Sequence, residues 1–360
     1  MHCAVVDELH AHKTRRVYDV LETATGSRSQ PLLLSITTAG SDRAGVCYEQ
    51  RSYVTKLLDR TASDETYFGI VYTLDDADDW TDEAVWGKAN PNLDVSVYRD
   101  DMRRLSAKAQ TMASAANAFI TKRLDRWVNA SSAWLDMRAW ERCADSSLEL
   151  DGFAGQPCFI GVDLASSLDI AAVSLLFPGD DGAYTLFGRY YLPEERVESG
   201  GNSQYVGWAA TGKLIATPGA ANDLRLVGRI GQDLLDSMER FRVPMAAFDP
   251  WRAVQLRQDL DALGHTVVEV PPGFRHFTEP MKELEALVVS GKLRHDGSPV
   301  LTWMMANTIA RIDGKDNIQP GKEFPENKID GVVSAIMALG MALRNEDQPS
   351  PYKDRGVVFV

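Results

Sequence analysis

The stretch Asn327-Lys-Ile-Asp330-Gly-Val-Val-Ser-Ala-Ile-Met-Ala-Leu-Gly340 organises the reading of this chain. Ile329, Val332, Val333, Ile336, Gly340 and Leu343 recur at helical spacing, which predicts a helix with those residues on its packed face. Asn327 offers an N-cap. Asp330 falls in the first turn, where the helix dipole favours a carboxylate. Ser334, Ala335 and Ala338 are small enough to let the helix lie close against a sheet. A first-turn Asp alone only stabilises a helix. Two further aspartates make this one a candidate metal ligand.

Those two lie upstream. Cys158-Phe-Ile-Gly-Val-Asp163-Leu-Ala reads as a buried strand with one carboxylate in it. After the turn Ser166-Ser-Leu-Asp169, residues 170–177 and 184–192 continue as strands, an antiparallel meander. Residues 193–221 read as an insertion-like loop and 222–241 as a helix. Pro244-Met-Ala-Ala-Phe-Asp249-Pro-Trp is a short strand ending in an acid. Residues 266–270 form a further strand, and 279–290 and 299–311 two helices before the closing one. This element order resembles the ribonuclease H-like fold, an α/β class with a mixed sheet. In that fold the first strand, the end of the fourth and the closing helix bring their side chains together, here Asp163, Asp249 and Asp330. Two divalent cations roughly 4 Å apart need several carboxylates at short range. Unpaired acids in apolar strands cost several kcal/mol, so a cation is their natural partner. The expected carboxylate separations are roughly 4–8 Å. Asp169 reads as a turn residue and Lys328 as a solvated residue at the helix start, although either could join such a site.

Composition sets outer bounds. A chain of 360 residues is long enough for two domains, and 44% hydrophobic with 25% charged residues is ordinary for a globular protein. No apolar run reaches the length of a membrane span, and no basic, apolar leader opens the chain. Cys3, Cys47, Cys143 and Cys158 are scattered, without a Cys-x-x-Cys pair, and read as reduced thiols of a cytosolic protein. The net charge of −13 argues against a protein that generally coats nucleic acid, but not against a nuclease whose acids hold metal. Arg252, Arg257, Arg275, Lys292, Arg294, Arg311, Lys315, Lys322 and Lys328 form at most a weak basic strip.

The first part of the chain has its own pattern. Cys3-Ala-Val-Val6 runs into Asp7-Glu8, the form of a Walker B strand, in which the Asp holds nucleotide-bound magnesium and the Glu orients water. His10 and His12 read as a solvated turn. Leu32 to Ile36 is a second strand, breaking into Thr37-Thr38-Ala39-Gly40. Together these form the second half of a nucleotide-binding α/β sheet. The phosphate loop that should precede it is not in the sequence. Gly207-Trp-Ala-Ala-Thr-Gly212-Lys213-Leu214 imitates one, but Leu214 replaces the magnesium-binding hydroxyl and no strand leads in. Further on, residues 41–60 read as a helix, 66–74 as a strand, Asp75-Asp-Ala-Asp-Asp79 as a solvated acidic loop, 80–93 as a helix stopped by Pro91, and 97–127 as one long helix.

Several of these segments resemble one family in order along nearly the whole chain. They are Asp7-Glu8-Leu-His, Leu-Leu-Ser-Ile-Thr-Thr-Ala-Gly40, Trp86-Gly-Lys-Ala-Asn-Pro91, Gly161-Val-Asp-Leu-Ala165, Phe248-Asp-Pro-Trp251, His295-Asp-Gly-Ser-Pro-Val-Leu-Thr-Trp303 and Lys328-Ile-Asp-Gly-Val-Val333. The chain resembles the large terminase subunit of tailed phages. The resemblance implies an ATP-driven DNA-packaging motor joined to a metal-dependent endonuclease that cuts concatemeric double-stranded DNA. It assigns Asp163, Asp249 and Asp330 to catalysis with two Mg²⁺ or Mn²⁺ ions, Asp7 and Glu8 to the nucleotide, and Thr37, Thr38, Ala39 and Gly40 to coupling. It further implies the small terminase subunit and the portal as partners, no membrane, and the host cytoplasm as location. The expected organisation is a motor remnant over 1–128, a connector over 129–156, a nuclease domain over 157–345 and a tail over 346–360. Without a phosphate loop the chain reads as truncated at its start, and no ATP turnover is expected from it. Two other readings are another ribonuclease H-like nuclease of the resolvase or transposase type, and an inert fragment that binds portal or small subunit.

Overall fold

The computed structural model describes all residues except 13, 44, 129–133, 166–168, 200–201, 203, 251–253, 325–326 and 347–360. Most of the turn 166–169, Trp251, Arg252, the start of the connector and nearly all of the tail lie outside the described residues. The chain divides into two compact units, Met1–Trp134 with Glu323–Glu326, and Leu135–Lys322 with Asn327–Val360.

In the first unit β1 (Cys3–Asp7), α1 (Arg16–Thr23), β2 (Leu32–Ile36) and α2 (Val46–Leu58) follow in order. β1 and β2 pair in parallel, Cys3 opposite Leu32 through Asp7 opposite Ile36. Residues 66–74, expected as a strand, pair with nothing in the described structure and take no regular form. Their alternating side chains dock on α2 instead: a Cβ on Gly69 would lie 2.5 Å from Val54 Cγ2, and Tyr67 meets Tyr53 edge-on. The helix expected over 80–93 shrinks to α3 (Trp86–Ala89), with Trp86 1% exposed in a small core. The single helix expected over 97–127 is a helical hairpin, α4 (Arg99–Thr111) and α5 (Ala113–Leu124), broken where Met112 takes extended dihedrals. The acidic loop is not freely solvated, because Lys88 Nζ reaches both Asp75 and Asp78.

The second unit opens with α6 (Met137–Arg142) and then the expected meander, β3 (Phe159–Asp163), β4 (Ala171–Pro178) and β5 (Tyr184–Pro193), all antiparallel. The region expected as a loop is ordered: α7 (Glu194–Glu198), α8 (Gln204–Ala210) and β6 (Ile215–Thr217), which pairs with the end of β5. α9 (Arg229–Arg240) leads to β7 (Ala246–Phe248), α10 (Val254–Ala262), β8 (Val267–Glu269) and α11 (Phe274–Val289). β9 (Leu293–His295) pairs with the start of β5. α12 (Pro299–Asn307) is shorter than expected, because residues 308–312 turn into β10 (Thr308–Ile312), half of a hairpin with β11 (Ile318–Lys322). α13 (Asp330–Glu346) closes the unit.

The main sheet runs β6-β5-β4-β3-β7-β8, with β3 central, antiparallel to β4 and parallel to β7. Strand alternation divides its residues between two layers. Ile160, Val162, Ala246 and Phe248 point into a core shared with Ile230, Leu234 and Met238 of α9 and Leu256 and Leu260 of α10. Each such side chain contributes roughly 1.5–3 kcal/mol by leaving water. Gly161 points to the other layer, against α13. A Cβ there would lie 1.9 Å from Ser334 O and 2.7 Å from Ala338 N, so only glycine lets the helix backbone come this close. Ser174 and Ser334 share a hydrogen bond of 2.7 Å across the same contact. α13 is buried nearly all round, since Ala335, Ile336, Met337, Ala338 and Leu339 are each at most 1% exposed. The single packed face expected for it is thus an underestimate. A helix between a sheet and two other helices needs apolar residues on every side.

Candidate nuclease site

The register of the sheet locates the three aspartates. Asp163 ends β3 opposite Ala172, which in turn sits opposite Tyr190 on β5. Val162 pairs with Phe248, so Asp249 follows directly beside Asp163 at the ends of two adjacent parallel strands. Val162 and Phe248 both face the α9–α10 core, so alternation turns Asp163 and Asp249 toward the α13 layer. Asp330 starts α13 at this same row: a Cβ on the next residue, Gly331, would lie 2.8 Å from Tyr190 Cε1. The three residues thus share one end and one face of the sheet, and all are half-buried.

Two residues that the sequence reading set aside sit with Asp330. Asp169 is not merely a turn residue, and Lys328, its side chain only 13% exposed, is not solvated: they form an ion pair. Asn307 Nδ2 donates to Lys328 O at 3.1 Å, which fixes the chain entering α13. Burial raises the Asp330 carboxyl above the ordinary carboxylate range; the Asp169 charge raises it further, and Lys328 and Lys322 only partly oppose them. The carboxylate of Asp169 and the ammonium groups of Lys328 and Lys322 thus all act on Asp330 in this corner. Among the described residues, however, no three His, Cys, Asp or Glu side chains are gathered tightly enough to hold a metal as they stand. Three residues of the basic strip are engaged locally: Arg257 pairs with Glu269, Arg294 with Asp145, and Lys292 donates to Asp181 O.

The first unit gathers a second set. Asp7 Oδ1 accepts from the backbone of Glu8, which takes the left-handed conformation (φ 50°) at the end of β1. His10, expected in a solvated turn, instead links two motifs: its backbone N–H donates to Thr37 Oγ1 at 3.0 Å, and its Nδ1 lies 3.1 Å from both Thr37 Oγ1 and Glu8 Oε2. Thr38 and Gly40 follow at the strand end, and Gly40 O accepts from Val128. Ala39 N donates to Asp125 Oδ1 at 3.3 Å. Burial, reinforced by Glu8, pushes the Asp125 carboxyl up to about 6. Residues 207–214 hold no phosphate loop, since Gly207 lies inside α8 and Leu214 is buried.

A five-stranded core with the meander first, two parallel strands added on its far side and a closing helix packed on the central strand is the ribonuclease H-like class. Comparison with known proteins takes the assignment further. The description "Terminase large subunit, endonuclease domain" matches residues 61–346, and "Terminase large subunit, ATPase domain" matches residues 2–56. The chain belongs to the phage terminase large subunit family. It is 38% identical to Protein YmfN of Escherichia coli (strain K12), over 96% of this chain and 78% of that protein. It is 29% identical to the terminase large subunit of Enterobacteria phage HK97, over 90% of this chain and 63% of that protein, so it spans a little under two thirds of that phage relative. The crystal structure of the HK97 bacteriophage large terminase superimposes with a TM-score of 0.52 at 27% identity, covering 94% of this chain and 70% of that one.

Proposed function

We propose that this chain cuts double-stranded DNA as the nuclease of a phage DNA-packaging terminase, with Asp163, Asp249 and Asp330 as ligands of two Mg²⁺ or Mn²⁺ ions. The observation that carries the reading is the shared row: Asp163 and Asp249 at the ends of two adjacent strands and Asp330 at the start of the helix packed on that face, with Asp169 also acting on Asp330. Hard divalent cations prefer such all-oxygen donors, and a cation relieves the burial that raises Asp330. When bound, two such ions supply an activated water and charge stabilisation at the departing 3′ oxygen. The chain's own residues do the rest. Asp163, on the central strand, would hold the ions together with Asp249 and Asp330. Asp169 holds Lys328 beside Asp330, where its ammonium can meet a DNA phosphate. The natural substrate in this reading is concatemeric DNA, the site of action the host cytoplasm, and the partners the portal and the small terminase subunit.

In the first unit, Asp7 and Glu8 are proposed to serve a nucleotide with its magnesium, and Thr37, Thr38, Ala39 and Gly40 to pass its state on through His10. The test of the main reading is plasmid cleavage. The chain should nick and linearise a supercoiled plasmid with Mg²⁺ or Mn²⁺, stop with chelator, and show little sequence preference. Asp163→Asn, which removes charge at constant size, should lower the rate by orders of magnitude with an unchanged circular dichroism spectrum. Cleavage by Asp163→Asn at the parent rate overturns the assignment.

A further inference from the structure

Beside the acidic corner lies a group of aromatic side chains that the nuclease reading does not use. Tyr205 and Trp208 stand three residues apart on α8 and so share one side of that helix. Trp303 comes from α12. The three rings meet with centroids 5.5–6.1 Å apart: Tyr205–Trp208 at 6.0 Å, Tyr205–Trp303 at 6.1 Å and Trp208–Trp303 at 5.5 Å. Their mutual tilts of 43°, 86° and 58° make a corner of ring faces and edges rather than a closed stack. Tyr205 is buried beneath the other two rings, whereas Trp208 and Trp303 remain half-exposed.

Two observations tie this corner to the acids. Burial first, then the Asp330 carboxylate, with Asp169 also contributing, raise the Tyr205 hydroxyl to about 12, and Arg196 opposes them. Met304, next to Trp303, accepts a hydrogen bond through Sδ from Gly331 N at 3.1 Å, which places the root of Trp303 against the first turn of α13. Arg196 thus acts on Tyr205, and Lys328, paired with Asp169, acts on Asp330.

We infer that Tyr205, Trp208 and Trp303 form a stacking site for an unpaired nucleobase of the DNA strand whose phosphate lies at Asp330. The inference rests on the nuclease reading for its ligand. The chemistry favours a base over other occupants. An indole face stacks on any nucleobase without sequence preference, and the flanking Arg196 and Lys328 suit the adjoining phosphates. A base inside a duplex is already stacked on both faces, so the site selects frayed, flapped or overhanging nucleotides. The expected consequence is a nuclease that binds more tightly where the helix is open at the cut.

The experiment uses the full chain with Ca²⁺ in place of Mg²⁺, and a duplex carrying a short overhang with 2-aminopurine at its first unpaired position. Stacking on indole should quench the 2-aminopurine on binding. Trp208→Leu and Trp303→Leu should abolish the quenching and weaken overhang binding by about tenfold, while blunt duplex binding stays at the parent level. Trp208→Phe and Trp303→Phe keep a ring and should retain most of both, which separates stacking from a folding defect. Absence of quenching in the parent, or parent-like quenching and affinity in both leucine variants, overturns the inference. Plasmid cleavage distinguishes it from the reading beneath it. If the parent cuts, Asp163→Asn does not, and the leucine variants bind normally, only the stacking site falls. If no chain cuts yet quenching depends on the tryptophans, only the nuclease assignment falls.

Discussion

Two strand ends in this chain carry acids, and their settings differ. At β3 and β7, Asp163 and Asp249 end strands whose neighbours on both faces are helices, and Ile160, Val162, Ala246 and Phe248 are wholly buried. At β1, Asp7 and Glu8 end a strand in a two-stranded sheet, with Val5 60%, Leu34 43% and Ile36 54% exposed. The two buried carboxyls differ as well. Asp330 has Lys328 and Lys322 near it, while Asp125 has a backbone N–H and the charge of Glu8. An acid in a stiff frame, with the second carboxylate of Asp169 acting on it, is suited to hold a cation in one place. An acid on an open two-stranded ribbon, linked through His10 to the next strand, is suited to move.

The sharpest way to break this comparison is to remove charge from the stiff frame. Asp249→Asn and Asp330→Asn should each lower metal-dependent plasmid cleavage by at least about a thousandfold, whereas Asp7→Asn should leave it within about twofold of the parent. Equal losses from both groups would erase the distinction between the two strand ends.

The frame itself is tested at Gly161. A methyl group there collides with Ser334 O and Ala338 N, both backbone atoms, so α13 must lift from β3. Gly161→Ala should cost about 3 kcal/mol or more of stability in the second unit, read from urea or thermal unfolding, and lower cleavage with it. A change below about 0.5 kcal/mol would mean the helix is not seated on the strand as described.

Hydrogen exchange sharpens the contrast without any substitution. The amides of β1 and β2 should exchange at least about a hundredfold faster than those of β3, β4 and α13, because few buried side chains cover them. More broadly, residues before 140 should be less protected than those after 157.

The smallest effect expected is at Asp125. Burial raises its carboxyl from the ordinary carboxylate range to about 6, so the folded state favours its protonated form relative to the unfolded chain. The resulting stability is fully present below pH about 4 and is lost as pH rises through 6. Asp125→Asn keeps the left-handed backbone (φ 50°) and can keep the acceptor for Ala39 N. It should stabilise the first unit by about 1 kcal/mol at pH 7, after allowance for solvent screening, with the gain fading toward pH 4. A constant gain across that range would assign the effect to something other than the charge.

Much of this was legible in the sequence because the second unit is locally consistent. The meander has short turns and clear alternation, and the small residues Ser334 and Ala338 announced a close helix–sheet contact that Gly161 completes. What escaped depends on partners distant in the chain. Residues 66–74 alternate like a strand but pair with no strand among the described residues and pack on α2 instead. Residues 308–312 continue an apolar run from α12, yet pair with β11 and leave the helix. β6 and β9 are three-residue strands that exist only because β5 offers an edge. Asp169 and Lys328 are far apart in sequence, and nothing in either neighbourhood announced their ion pair. The aromatic corner is split between α8 and α12 in the same way.

The central claim is that Asp163, Asp249 and Asp330 hold two divalent cations between them. Manganese binding tests it most directly, because free Mn²⁺ gives a paramagnetic resonance signal that disappears on binding. Titrated with the parent chain, the signal should fall with about two ions taken up per chain, and Asp163→Asn should lose at least one of them while remaining folded. Uptake of no ion by the parent, or identical uptake by Asp163→Asn and the parent, would contradict the account.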